Sequence, residues 1–106
     1  MSKQFEAVTV LAKANIYFDG KVTSRTVLFA DGTKKTLGVM LPGDYEFGAD
    51  VKEIMEIQSG RLDVLLAGAS EWLTIDGTAE FTVEKGTKFK LRVHTVTDYI
   101  CSYVQE

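Results

Sequence analysis

Residues 39–60 read VMLPGDYEFGADVKEIMEIQSG. Two breaks, Pro42-Gly43 and Ser59-Gly60, bound a short run over Tyr45-Glu46-Phe47, a loop through Gly48-Ala49-Asp50, and the run EIMEIQ at 53–58. Proline fixes φ and glycine admits positive φ, so such pairs stop strands and turn the chain. EIMEIQ puts Ile54 and Glu56 on one face and Met55 and Ile57 on the other, the period-2 alternation of a strand. The stretch holds no histidine.

Upstream, residues 21–29 (KVTSRTVLF) alternate as a strand and run into Asp31-Gly32, a strong hairpin signal, with TLGVML (36–41) as the return strand. Downstream, RLDVLLA (61–67) is expected to pair back on EIMEIQ. Asp76-Gly77 is expected to close a hairpin between EWLTI (71–75) and AEFTV (79–83), and Lys85-Gly86 to turn into KFKLRV (88–93). The tail DYICSYV (98–104) places Tyr99, Cys101 and Tyr103 on one face and Ile100 and Val104 on the other. Residues 2–18 fit a strand or a short helix equally. Short strands, frequent glycine turns and no long helical period predict an all-β, antiparallel barrel or sandwich. Residues 1–14 read as an extension or first strand, and 15–106 as the domain.

A chain of 106 residues fills one core, burying about 65% of its unfolded surface. Cys101 is the only cysteine, so no intrachain disulfide forms, and with no leader-like start this predicts a reducing, cytoplasmic setting. No run approaches the roughly 20 apolar residues of a membrane span. Twelve Lys plus Arg against 15 Asp plus Glu give a net charge of -3, which argues against bulk nucleic acid as a partner. Local basic clusters, Lys34-Lys35 and Lys85, Lys88, Lys90 and Arg92, read as solvated strand faces or hairpin tips, or as holders of a small anion such as phosphate. No phosphate-cradling glycine motif opens a helix. His94, in HTVTD, reads as an exposed or half-buried side chain, and Cys101, Met40, Met55, Phe81 and Phe89 read as core.

The Glu53-to-Gly60 spacing resembles the first motif of the cupins, jelly-roll barrels that hold a metal on histidines. Phe47 and Ala49 stand at the positions matching the histidine pair, and the second-motif region FTVEKGTKFKL (81–91) has none either. A lone carboxylate supplies too few ligands for a tight transition-metal centre, so no metal is expected. The series YFDGKVTS, GVMLPGDYEF, EIMEIQSGRLDVLL, EW and YICSYV, over roughly residues 15 to 104, resembles the small cupin-like pyrimidine/purine nucleoside phosphorylase family. The resemblance implies a metal-independent, homodimeric enzyme that turns ribonucleoside plus phosphate into free base plus ribose 1-phosphate with broad base tolerance. Where relatives often carry a Pro-Gly-His-Ser type turn this chain has Val83-Glu84-Lys85-Gly86-Thr87, and where they tend to a serine-rich hairpin it has FADGTKKT.

Phosphorolysis needs donors for phosphate, a negative group near the oxocarbenium-like ribosyl centre, and a stabilised leaving base. Phosphate is itself the nucleophile, so no Ser/His/Asp constellation is required. The phosphate candidates are Lys21, Ser24, Arg25, Arg61 and Arg92, with Lys21 and Ser24 in the matching KVTS segment. Glu53 is the ribose candidate and, with Lys21, the catalytic pair; Asp44 and Glu46 are weaker competitors. Tyr45, Trp72 and Tyr103 are the base-stacking candidates. Two rival functions fit the same pattern: a metal-free binding module for a small molecule or carbohydrate, and a sugar isomerase or epimerase.

Overall fold

A computed structural model describes residues 3–105, so residues 1, 2 and 106 at the ends of the expected segments lie outside the described residues. The strands are β1 (Thr9–Val10), β2 (Asn15–Tyr17), β3 (Val22–Leu28), β4 (Lys34–Met40), β5 (Gly43–Gly48), β6 (Lys52–Ser59), β7 (Arg61–Leu65), β8 (Leu73–Asp76), β9 (Ala79–Val83), β10 (Lys88–Val93) and β11 (Thr97–Val104). A one-turn 3-10 helix at Phe18–Gly20 joins β2 to β3. Residues 2–18, undecided from periodicity, therefore carry two short strands and no α-helix over the described part.

All pairings are antiparallel and fall into two sheets. The first has the order β1-β3-β4-β11-β6-β9, with β2 also on β3; the second has the order β5-β10-β7-β8. The all-β cupin-like architecture holds, as two packed sheets rather than one strictly closed barrel. The Asp31-Gly32 hairpin forms as expected, with Val22 to Leu28 paired against Met40 to Lys34. Two expected pairings do not form. RLDVLLA does not return onto EIMEIQ, because β6 and β7 belong to different sheets; β7 pairs with β8 and β10 instead. Likewise Asp76-Gly77 closes no hairpin: β8 pairs with β7 and β9 with β6. At both points the glycine turns the chain through a corner from one sheet to the other. Gly60 shows why a glycine is needed: at φ 131°, a Cβ there would stand 2.4 Å from Thr97 Oγ1 and 2.9 Å from Thr97 Cα.

The core lies between the sheets. Val22, Met40, Met55, Ile57, Phe81 and Val83 come from the first, and Leu62, Val64, Ile75, Phe89, Leu91 and Val93 from the second. Each fully buried side chain such as Leu62 or Leu91 stabilises by about 1.5–3 kcal/mol relative to exposure. The tail alternates as expected: Tyr99 and Cys101 face this core, whereas Ile100 is buried outside it. The N-terminal segment crosses the outer side of the first sheet, with Phe5 edge-on to Phe29 at 5.4 Å and the Leu11 amide donating to Thr26 O at 2.9 Å. Among the described residues no helix is long and apolar enough to cross a membrane.

Candidate functional site

The inner face of the first sheet grades from apolar to polar along its strands. One row of register partners is Val22, Met40 and Thr97; the next is Ser24, Gly38, Tyr99 and Ile57; then come Thr26, Thr36, Cys101 and Met55; and beyond them Tyr103, Glu53 and Val83. Polar side chains therefore collect at one end, where apolar packing gives way to a cavity of about 940 Å³. Phe47 and Phe89 of the second sheet also line it. The exposed turn Asp31-Gly32-Thr33, with Lys34 after it, forms part of the rim.

Glu53 is the central group. It lies on β6 directly opposite Tyr103 on β11, and the Cys101 thiol donates to its Oε1 at 3.6 Å. Burial pushes the Glu53 carboxyl above the usual range, with Asp50 adding to the rise; the Cys101 hydrogen bond and the charge of Lys34 work against it. Cys101 is itself pushed up to about 12, first by burial and then by Glu53, so at neutral pH it is a thiol that donates and no thiolate nucleophile. The Tyr103 hydroxyl sits 3.2 Å from Thr36 Oγ1, and the Lys34 ammonium lies 4.4 Å from the centre of the Tyr103 ring. Burial raises the phenol pKa of Tyr99 and of Tyr103, keeping both protonated as donors. Gly38 makes room for Tyr99: a Cβ there would stand 2.4 Å from the ring.

Of the residues expected from sequence, the structure brings Glu53, Ser24 and Tyr103 to this cavity. Ser24 is buried, and its Oγ accepts from Asn15 Nδ2 at 3.2 Å. The others stand elsewhere. Lys21 is exposed between the 3-10 turn and β3, its backbone bonded to Phe18 and Leu41. Arg25 is exposed, its Nε donating to Ala12 O at 3.2 Å. Arg61 is exposed at the start of β7, its backbone amide donating to Thr95 Oγ1 at 2.8 Å. The Arg92 guanidinium stacks 4.0 Å from the Trp72 ring centre, so these two occupy each other outside the cavity. Tyr45 is only 5% exposed, its hydroxyl donating to Leu41 O at 2.6 Å. His94 pairs with Asp63 at 2.9 Å, and that bond is the main cause of Asp63's lowered pKa.

The cavity adds residues that were not among the site residues expected from sequence, although Lys34 stood in the Lys34-Lys35 cluster read as a solvated face or as a holder of a small anion. Lys34 and Thr36 sit at inward positions of β4, legible in the alternation of KKTLGVM once Gly38 and Met40 are taken as inward. Tyr17 and Phe47 line the same space. Phe47 and Ala49, at the positions of a cupin histidine pair, are used structurally. Phe47 stacks on Phe89 at 5.9 Å, and Ala49 exchanges backbone hydrogen bonds with Gly86 and Thr87. Among the described residues no three His, Cys, Asp or Glu side chains stand together as a metal-holding group.

With this geometry in hand, the relatives carry weight. The sequence model of the family described as pyrimidine/purine nucleoside phosphorylase matches residues 12–103. The chain belongs to that family. A pyrimidine/purine nucleoside phosphorylase of Sulfurovum sp. is 59% identical over 102 residues, 96% of this chain and 99% of the relative. One from Hydrogenovibrio crunogenus is 56% identical over 101 residues, covering 95% and 97%. Among solved structures, a protein of unknown function from Acinetobacter sp. ADP1 superposes with a TM-score of 0.91 at 43% identity, covering 95% of this chain and 98% of that one. A cupin-2 domain from Rhodospirillum rubrum matches with a TM-score of 0.69 at 15% identity, covering 100% of this chain and 75% of that one, and shows the fold alone. This chain thus has a cupin-like frame, and carboxylate, phenol, thiol and ammonium groups line the cavity at one end of it.

Proposed function

We propose that the protein catalyses phosphorolysis of purine and pyrimidine nucleosides in the cavity around Glu53, releasing free base and α-D-ribose 1-phosphate. The observation that carries this reading, beside family membership, is the half-buried Glu53 carboxyl that accepts from the Cys101 thiol, with Tyr103 as its register partner and the Lys34 ammonium over the Tyr103 ring. A carboxylate there accepts from ribose hydroxyls and stabilises the positive charge that develops on the sugar as the N-glycosidic bond stretches. Hydrogen phosphate attacks the anomeric carbon from the face opposite the base, which inverts that carbon and gives the α-phosphate. The base leaves with the electron pair of the broken C–N bond and takes up the proton that hydrogen phosphate supplies.

Phosphate has one cation along the cavity, Lys34, against the carboxylates of Asp31, Asp50 and Glu53. Its remaining hydrogen bonds come from the hydroxyls of Thr33 and Thr36 in this reading. Lys34 thus takes the part that sequence gave to Lys21, Arg25, Arg61 and Arg92. The reaction as written uses inorganic phosphate as co-substrate and no cofactor.

Two further parts of the reading rest on separate observations. A homodimer is supported by the exposed Leu37 and Val39 on the outer side of β4, 38% and 39% exposed, apolar surface that a second copy would cover. A cytoplasmic setting is supported by the lone free thiol.

The test is chromatography of a nucleoside mixture incubated with the purified protein, with and without phosphate. Base and ribose 1-phosphate appearing together only with phosphate, and falling by about 10²-fold or more in Glu53→Ala, is the expected result. Folded protein that yields neither product would leave a sugar-binding cavity without turnover. A raised phosphate KM in Lys34→Ala checks the cation's role.

A further inference from the structure

We propose that Tyr17 and Phe47 form the nucleobase subsite, with Tyr17 fixed over the cavity by a strained turn; this rests on the phosphorolysis reading for the identity of the ligand. Five aromatic rings line the cavity: Tyr17, Phe47, Phe89, Tyr99 and Tyr103. Phe89 and Tyr99 are 3% and 7% exposed and have no face free for a ligand. Tyr103 is committed to the polar end, its hydroxyl against Thr36, its ring under Lys34 and its register partner Glu53. Tyr17, 44% exposed, and the half-buried Phe47 remain.

These two rings meet edge to face at 5.9 Å, and Phe47 is backed by Phe89 stacked behind it at 5.9 Å. The backing keeps Phe47 from retreating when a planar group presses on it. Tyr17 is positioned from the backbone side. Phe18 and Asp19, consecutive and neither of them glycine, hold φ of 51° and 56° in the left-handed region, which side chains with a Cβ adopt only at a cost. Packing and hydrogen bonding offset that cost. The Phe18 ring lies 5.0 Å from Tyr45 and 5.3 Å from Phe47, and the turn is tied by Lys21 N to Phe18 O at 3.1 Å and Leu41 N to Lys21 O at 2.8 Å. The strained turn thus delivers two successive rings onto Phe47, one filling the wall and one at the cavity. Consecutive non-glycine residues in this conformation collect where a site needs a fixed geometry.

The chemistry of the walls sets the ligand class. The edge-to-face pair makes a hydrocarbon corner on which a flat heteroaromatic ring stacks against one face and abuts the other ring, without its hydrogen-bonding edge being read, so uracil and adenine are both accepted. Discrimination then follows ring area, with purines held more tightly than pyrimidines.

Initial rates over a range of uridine and of adenosine, for wild type, Tyr17→Phe, Tyr17→Leu and Tyr17→Ala, test this. Loss of the ring in Tyr17→Ala should raise nucleoside KM roughly 5- to 150-fold, more for adenosine, while the phosphate KM stays put. Tyr17→Phe keeps the π face and should behave as wild type, and Tyr17→Leu, which fills the space without a π face, should resemble Tyr17→Ala. Folded Tyr17→Ala with unaltered nucleoside KM, or with phosphate and nucleoside KM raised alike, overturns the proposal. Equilibrium dialysis of free adenine and free uracil separates this failure from failure of the phosphorolysis reading. Inactive wild type that still binds bases through Tyr17 refutes phosphorolysis alone, and wild type that binds neither base refutes the subsite.

Discussion

Replacing Gly38 by alanine strikes the point where the two central strands of the first sheet make room for a cavity side chain. Gly38 and Tyr99 are register partners on β4 and β11, and the phenol ring lies across the glycine. A Cβ built there stands 2.4 Å from Tyr99 Cζ, 2.5 Å from its hydroxyl oxygen and 2.6 Å from Cε1. Three contacts under van der Waals distance with one rigid, buried ring place the cost in the upper part of the overpacking range, about 2–3 kcal/mol. Alanine's smaller backbone entropy loss recovers about 0.5–1 kcal/mol, leaving a net loss of about 1–2 kcal/mol. For a domain of this size that lowers Tm by about 5–15 °C. Gly48→Ala is the control, since its nearest neighbours are Lys88 Cγ at 3.9 Å and Thr87 O at 4.0 Å; its Tm should hold or rise slightly. Thermal unfolding followed by circular dichroism measures both, and Tyr99→Leu in the Gly38→Ala background should recover stability, giving a coupling above about 0.5 kcal/mol. Equal Tm for the two alanine variants, or no coupling to Tyr99, would refute the reasoning.

Three further outcomes follow from the charges and rings. Glu53 is raised by burial, so the native state binds the proton more tightly than the unfolded chain. Stability therefore falls as pH climbs from the unfolded carboxylate value of about 4 through the folded one. Urea titrations should show Glu53→Gln more stable than wild type at pH 7 and equal to it below about pH 4, with activity lost throughout; a variant less stable at pH 7 would contradict the desolvation argument. Cys101, raised to about 12, carries a thiolate fraction on the order of 10⁻⁴ at pH 8. An aromatic disulfide reagent should label it only as fast as the native state opens, and prompt stoichiometric labelling of folded protein would count against this. Arg92→Ala should remove the cation–π contact with Trp72, costing about 0.5–1 kcal/mol and shifting Trp72 fluorescence without altering the phosphate KM. An altered phosphate KM would return Arg92 to the site.

Strand positions and faces were open to reading because alternation is a local property. EIMEIQ and DYICSYV show their inward residues directly, and the β3-β4 hairpin follows from Asp31-Gly32. Partner choice is a global property. Ser59-Gly60 and Asp76-Gly77 have the composition of hairpin turns, yet they serve as corners between sheets: β6 is flanked by β11 and β9 and β7 by β10 and β8, while β8 and β9 lie on the edges of opposite sheets. The candidate site divides in the same way. Glu53 could be picked out as a carboxylate on an inward-facing strand position. Lys34 could not be ranked above Lys21 or Arg92, since charge carries no address until β4 and β11 are side by side and the ammonium meets the Tyr103 ring. Tyr45 and Trp72 show the converse. Their aromatic surface was evident, but Leu41 O and Arg92 already hold them.

Strand β11 lies between β4 and β6, and it carries Tyr99, Cys101 and Tyr103 into the cavity. Residues 97–104 are thus made after β1 to β10 and also join the two halves of the first sheet. Until they insert, Glu53 has neither its thiol donor nor its phenol neighbour, and β4 and β6 present unpaired edges to each other and to other chains. Acquisition of the site and closure of the sheet are therefore one event, late and dependent on contacts distant in sequence. A ribosome-bound chain that has exposed all but this strand should be inert towards ligand and prone to association, and both traits should vanish together when β11 emerges.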